Sequence, residues 1–447
     1  MFSKDADLES RASAVFARCE RLALFTEESG RITRPYGSRA LLGARDDVAD
    51  WMSAAGLTTR IDAIGNLRGR YDGSDPTAPA LLIGSHLDSV RNGGRYDGPL
   101  GILVAISVVE RLSGTGHRLP FPIEVIAFAE EEGLRFQATY LGSRAVAGTF
   151  DAALLDLTDG ERITLRQAVR HFGGNPDDVS SCALAGTQVF GYVEVHIEQG
   201  PRLESRGLPV GVVTGIAGQT RADVTFRGET GHAGTVAMEL RRDPLPAAAE
   251  FVLAVEHVGR STTDLVATVG AVSVDPGASN VIPGSVELSL DLRHPDDVVR
   301  DRAVVELHDR ARNIAVARNL DVNWQIVQEN AAVPCDPELT ALLARAVAAA
   351  GYSVEMLPSG AGHDGVAISA IAPIAMLFVC CAGGVSHSPA ESVDICDIAA
   401  AVDVLDRFLG LLGEQVAHMH GEDQARDLSG WVSTASLPEM GKTRAEG

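Results

Sequence analysis

Basic residues are in short supply: 38 Lys and Arg stand against 60 Asp and Glu, a formal net charge of −22 over 447 residues. That deficit argues against a nucleic-acid partner, because releasing counterions from a phosphate backbone needs a basic face. The acidity instead favours solubility. Cysteine is scarce as well. The six present (Cys19, Cys182, Cys335, Cys380, Cys381, Cys396) show no C-x-x-C spacing, and Cys380 and Cys381 sit inside an apolar run. They read as reduced, buried thiols in a cytoplasmic protein. No stretch approaches the ~18 uninterrupted apolar residues of a membrane span. The N-terminus, Met1-Phe2-Ser3-Lys4-Asp5, runs into charge without the apolar centre of a secretion signal. No G-x-G-x-x-G or Walker motif stands where a strand meets a helix, which counts against a nucleotide-binding enzyme.

What is present is a chain able to bury a large core, with 45% hydrophobic residues. Single cores stop growing at about 250 to 300 residues, so two or three domains are expected. Helical spacing over 41–55 stops at Gly56, and 57–61 alternates like a strand. The short apolar run 80–84 delivers His86, a helix over 98–112 follows Asp97, and the apolar run 123–129 ends at Glu130-Glu131-Glu132. Strands and helices alternating with polar residues at strand ends indicate the α/β class, with an open, mostly parallel sheet whose ligand sites lie beyond its carboxyl ends. Near Gly211 the character changes. Strands at 212–215, 221–226, 266–274 and 286–292, with helices at 244–258 and 298–318, suggest an α+β insert on an antiparallel sheet. After Asn330 a helix at 337–350, a strand at 374–380 and a helix at 398–412 resume the first pattern. The expected organisation is a discontinuous domain, 1–210 and 330–420, split by an insert at 211–329, with a mobile polar tail at 421–447.

Chemistry concentrates at the ends of these runs. On an extended segment positions i and i+2 point the same way, so Asp88 can accept the imidazole N–H of His86 and fix which nitrogen faces a metal. The turn Asn92-Gly93-Gly94-Arg95-Tyr96-Asp97-Gly98 can bring Asp97 back beside His86, offering one oxygen to each of two ions. Three glutamates closing an apolar strand repel one another unless cations neutralise them. One can then bind an ion while its neighbour acts as general base and later as acid toward a leaving amine. His196 lies in an alternating segment, 193–200, and His387 in the loop Ser386-His387-Ser388-Pro389. Singly, each has a bland reading as a polar surface pair, a solvated acidic patch or a packed histidine. Together they form an N and O donor set suited to a pair of borderline divalent ions, and the chain reads as a two-metal hydrolase.

The segments Gly84-Ser85-His86-Leu87-Asp88-Ser89-Val90, Gly93-Gly94-Arg95-Tyr96-Asp97-Gly98, Glu131-Glu132-Gly133-Leu134-Arg135-Phe136, Gly142-Ser143-Arg144, Glu194-Val195-His196-Ile197-Glu198-Gln199-Gly200, Gly231-His232-Ala233-Gly234-Thr235 and Gly360-Ala361-Gly362-His363-Asp364 resemble the amidase and carbamoylase branch of the M20 metallopeptidase-like family. The resemblance implies two divalent ions, zinc, manganese, nickel or cobalt, with His86 and His196 capping the shells and Asp97 bridging. It assigns Glu132 and His387 to the second ion and the role of base to Glu131. It further implies that the insert serves as a lid and dimerisation domain. From it His232 would reach across a homodimer to the tetrahedral oxyanion, while Asn280 and Arg293 would hold the substrate carboxylate. Gln199, Gln219 and His363 would be further substrate contacts. The implied substrate is a small ureido or carbamoyl carboxylate, allantoate first, then an N-carbamoyl-L-amino acid or β-ureidopropionate. A catalytically silent binding protein on the same scaffold is the alternative from another class, and retention of every ligand and of Glu131 speaks against it. Ala237, where proline is common, and Gly365, where alanine is usual, depart from the pattern without removing a reactive group.

Overall fold

Four strands, Ala80–His86, Ile123–Phe128, Val189–Ile197 and Ile374–Val379, are buried along their whole length, as parallel strands covered on both faces must be. In the computed structural model, which describes residues 4–422, they form the centre of an open sheet. Seven of its strands follow one another in the order Thr58–Ile61, Leu67–Tyr71, Ile123–Phe128, Ala80–His86, Val189–Ile197, Ile374–Val379, Val210–Ile216. The four central strands pair in parallel, and the flanking strands are antiparallel. Helix Pro99–Thr115 buries every residue from Pro99 to Val109, because it is apolar on all sides and lies within the core. Helices Lys4–Leu22 and Ile395–Glu422 pack together, joined by the half-buried ion pair of Arg11 and Asp406 at 2.6 Å. This last helix extends well past the expected 398–412, and residues 423–447, most of the expected tail, lie outside the described residues.

The chain divides into two compact units. The first runs to Thr214 and resumes over Cys335–Leu357 and from His363 onward; the second is Gly215–Pro334 with Pro358–Gly362. The second unit holds a four-stranded antiparallel sheet in the order Asp321–Asn330, Gly218–Arg227, Ser285–His294, Val266–Asp275. Helices Pro244–Ser261 and Asp297–Ala317 pack against it around Phe226, Phe251, Leu288 and Leu307. Asp243 and Asp296 cap these helices by accepting the N–H groups of Leu245 and Val298.

The strand expected at 212–215 belongs instead to Val210–Ile216 of the large sheet, and the fourth strand of the insert is Asp321–Asn330. That strand occupies a sheet edge and is mostly exposed, yet Val322, Trp324 and Ile326 alternate with polar residues, and Val322 and Trp324 pack against the insert's core, so the alternation was a readable strand signal. Strand Leu67–Tyr71 is harder to read, since Arg68 and Arg70 interrupt it; Arg68 is buried because Glu124 on the neighbouring strand pairs with it at 2.5 Å. No helix among the described residues is long and apolar enough to cross a membrane. All six cysteines are free thiols, five of them buried.

Candidate metal centre

His86, the glutamate run and His196 stand at the carboxyl ends of three adjacent parallel strands. His86 is the last residue of its strand and lies in register with Phe128, two residues before Glu130. His196 lies one residue before the end of the next strand, in register with Phe378, and the loop after that neighbouring strand carries His387. Asp97 returns to the same place through the turn that precedes helix Pro99–Thr115. Gly98 permits this return: its φ is +82°, and a Cβ there would lie 2.5 to 2.6 Å from the carbonyl and imidazole of His86.

The side chains converge on Asp97. Its Oδ1 lies 3.2 Å from His196 Nε2 and 3.6 Å from His86 Nε2, while Oδ2 lies 3.2 Å from His387 Nε2. Glu132 Oε1 is 3.7 Å from the same His387 nitrogen and is buried without a hydrogen-bond partner. Three overlapping donor sets result: His86 with His196 and Asp97, then Asp97 with Glu132 and His387, and also His86 with Glu131 and Glu132. The ring orientations test whether cations fit. His86 Nδ1 lies 3.2 Å from the carbonyl oxygen of Asp88 and His196 Nδ1 lies 2.9 Å from that of Ile197. A carbonyl only accepts, so in the neutral rings these hydrogen bonds place the proton on Nδ1. The two Nε2 lone pairs then face each other at 3.4 Å beside a carboxylate. Lone pairs so arranged call for cations, and the donor chemistry suits borderline divalent metals.

The surrounding groups tune this cluster. Asp88 accepts the backbone N–H groups of Glu131 and Glu132 at 3.1 and 3.2 Å and approaches His86 Nδ1 at 3.4 Å, so one carboxylate holds both strand ends. Glu130 turns away and caps the N–H of Gly133 at 2.7 Å. Burial raises the Glu131 carboxyl well above its ordinary range, and burial with the Asp97 charge raises Glu132 to about 7. For Asp97, burial acts in the same direction, but hydrogen bonds from His196, His387 and His86 overcome it and hold the carboxyl well below the usual range. Burial opposes charge on His86 as well, and Asp88 and Asp97 override it upward. Hydrogen bonding to Asp97 raises His387 to about 9. The negative charge that raises His86 and His387 favours positive charge in this pocket, a cation included.

The remaining expected residues fall in three places. Gln199, in a left-handed conformation with φ of 58°, donates to both Asp97 oxygens at 3.3 and 3.2 Å. His363 is buried with its ring edge-on to His196, 4.6 Å between centroids, and burial together with His196 holds it neutral. The second unit carries the others as two groups. His232 and Asn280 are exposed neighbours, since His232 pairs with Val281 and Ala233 donates its N–H to the Asn280 carbonyl at 3.0 Å. Gln219 and Arg293 oppose each other across paired strands and share Asp291: Gln219 Nε2 reaches its Oδ2 at 2.8 Å, and Arg293 takes both oxygens at 2.9 and 3.0 Å. Three residues of the first unit were not singled out from sequence. Ser386 donates to Asp97 Oδ2 at 2.9 Å, Glu391 accepts the Asp97 N–H at 3.1 Å, and buried Glu194 accepts from Tyr192 and Gly365. Ser386 and Glu391 flank His387, and Glu194 shares the strand face of His196, which was the available signal.

The chain is similar to known proteins over most of its length. A profile of Peptidase family M20/M25/M40 matches residues 82–410. An N-carbamoyl-L-amino acid amidohydrolase of Geobacillus stearothermophilus is 45% identical over 379 residues, covering 85% of this chain and 93% of its own. Allantoate deiminase 1 of Glycine max is 42% identical over 419 residues, covering 86% of each. The crystal structure of a hydantoinase/carbamoylase family amidase from Burkholderia multivorans superposes with a TM-score of 0.85 at 32% identity, covering 89% of this chain and 97% of that one. With the family profile spanning most of both compact units and relatives this similar over most of the chain, the protein belongs to Peptidase family M20/M25/M40, in its amidase and carbamoylase branch.

Proposed function

We propose that this chain is a metal-dependent amidohydrolase that cleaves the linear ureido C–N bond of a small carboxylate, allantoate being the favoured substrate. One observation carries the reading: Asp97 offers one oxygen to the His86 and His196 pair and the other to His387, with Glu131 on the adjoining strand end. The relatives named as allantoate deiminase and N-carbamoyl-L-amino acid amidohydrolase support the substrate class, with N-carbamoyl-L-amino acids the second choice. In both cases R–NH–CO–NH2 and one water give R–NH2, carbon dioxide and ammonia.

Two divalent ions held by His86, His196, Asp97, Glu132 and His387 would polarise the ureido carbonyl and acidify water; zinc, manganese, nickel and cobalt all suit these donors. Glu131 then removes the proton of the attacking water and returns it to the leaving nitrogen. His232 is proposed as the oxyanion donor, supplied across a homodimer by the lid and dimerisation domain. Its Nδ1 accepts the N–H of Gly234 at 3.0 Å, which supports a neutral ring with its proton on Nε2. Arg293 uses Nε and one terminal nitrogen on Asp291 and the other on the Gly360 carbonyl at 2.8 Å. Of its five N–H groups, one on each terminal nitrogen is left, the pair that grips a carboxylate. Gln219 lies opposite Arg293 in the strand register and Asn280 directly precedes Val281, the register partner of His232; both are proposed as further contacts, with Gln199 and His363 serving from the first unit. Free thiols throughout support a reducing, cytoplasmic setting.

Turnover of allantoate, N-carbamoyl-L-amino acids, β-ureidopropionate and simple dipeptides by the metal-loaded protein tests the reading. Ureido substrates should exceed dipeptides by orders of magnitude in kcat/KM, and cleavage of dipeptides alone would overturn it. Arg293→Ala should raise KM for the preferred substrate at least tenfold with a smaller change in kcat, and should abolish discrimination against its uncharged amide analogue. An unchanged preference for the carboxylate would remove Arg293 from the binding site.

A further inference from the structure

We propose that Glu391 is a positioning residue that latches the loop carrying Asp97 to the loop carrying His387, and so assembles the second of the two metal positions. The inference rests on the two-ion reading above. Glu391 is 1% exposed and lies 294 residues from Asp97 in sequence. Its Oε1 accepts two backbone N–H groups of the Asp97 turn, from Tyr96 at 2.7 Å and from Asp97 at 3.1 Å. Its Oε2 lies 3.3 Å from the hydroxyl of Ser386, which itself donates to Asp97 Oδ2 at 2.9 Å. The turn opens to admit this carboxylate. A Cβ on Gly94 would stand 2.0 Å from Glu391 Cδ and 2.1 Å from each of its oxygens, so only glycine leaves room for it.

The other end of the latch is the His387 loop itself. Glu391 donates its own N–H to the Ser388 carbonyl at 3.0 Å, closing a turn directly behind His387. His387 has a φ of 54°, a left-handed conformation that a side-chain-bearing residue keeps only where its surroundings impose it. The two metal positions depend on this latch unequally. His86 and His196 belong to regular central strands and need no loop to place them. Of the second donor set, Asp97 and His387 both come from loops that meet at Glu391. Removing the carboxylate leaves two buried N–H groups without an acceptor and frees both ligands at once. The first position loses only the anchoring of Asp97, whereas the second loses the relative placement of two ligands.

Titration of the metal-free, full-length protein with Co(II), followed by its visible absorption and by metal analysis, tests the assignment. Wild-type protein should take up two ions per chain. Glu391→Ala should keep one tight ion and bind the other 10- to 100-fold more weakly, the usual cost of removing an outer support of a metal ligand. Glu391→Gln retains the oxygen that accepts both N–H groups and should bring the second affinity back to within about threefold of wild type. Gly94→Ala, which displaces the carboxylate without removing it, should reproduce the defect of Glu391→Ala. If the alanine variants fail to fold, Glu391→Asp, one methylene too short to span both loops, should weaken the second ion more than the first. Two ions at wild-type affinity in a folded Glu391→Ala protein would overturn the latch, as would equal weakening of both ions. A wild-type protein that binds fewer than two ions would defeat the two-ion reading itself.

Discussion

Glu131→Gln should lower kcat by about 10² to 10⁴, the usual cost of a lost general base, while KM and metal content stay near wild type. The amide keeps the size and polarity of the side chain but cannot take a proton from water. Its backbone N–H remains fixed by Asp88 at 3.1 Å, so the substitution removes a proton acceptor and little else. Burial raises the proton affinity of the Glu131 carboxyl, which favours proton capture by this group over an exposed carboxylate. The adjacent Glu132→Gln should behave differently. Its Oε1 faces His387 at 3.7 Å and has no hydrogen-bond partner, so the loss there should appear first as lower metal occupancy. Metal analysis and steady-state kinetics on both variants separate the two roles. A Glu131→Gln protein that loses metal beside a Glu132→Gln protein that keeps it would mean that base and ligand are interchanged.

The same three strand ends explain why so much of this site can be read from sequence. An apolar run that stops at His86, and another that stops at three glutamates, break the rule that a buried strand continues into an ordinary turn, so their polar ends are conspicuous. His196 is harder. The alternation of Glu194, His196 and Glu198 with valine and isoleucine resembles a strand with one wet face, yet all nine residues of the strand are buried, and its polar face is turned into the site. Glu391 has only its nearness to His387 as a signature, because its partners are backbone N–H groups in a turn far away in the chain and one more glutamate in an acidic protein attracts no attention. Asp291 could have been found, since positions 291 and 293 share a strand face, but only the hydrogen bonds reveal that it holds Arg293. The insert was legible as a composition change, and its edge strand Asp321–Asn330 had a signal in the alternation of Val322, Trp324 and Ile326, whereas its remote segment Pro358–Gly362 carries no apolar pattern of its own.

Exhaustive chelation should abolish turnover, and readdition of a suitable divalent ion should restore it. The expectation follows from charge as much as from ligand count. Asp97, Glu131, Glu132, Glu194 and Asp364 are all strongly buried; burial raises four of the five, neighbouring carboxylates add to it for Glu131, Glu132 and Asp364, and Asp97 alone is held down by its histidines. Burial thus favours the protonated form of Glu131 unless cations offset it, and a protonated Glu131 is no base. Thermal unfolding supplies a second readout, because a ligand bound only by the folded state at 1,000 times its Kd contributes about 4 kcal/mol. Readdition should therefore raise Tm by several degrees and recover activity over the same range of metal concentration. The pairing of the two readouts distinguishes the reading from its rival of another class. A silent binding protein on this scaffold would regain Tm without turnover, while full turnover in protein shown to be metal-free would eliminate the proposed mechanism altogether.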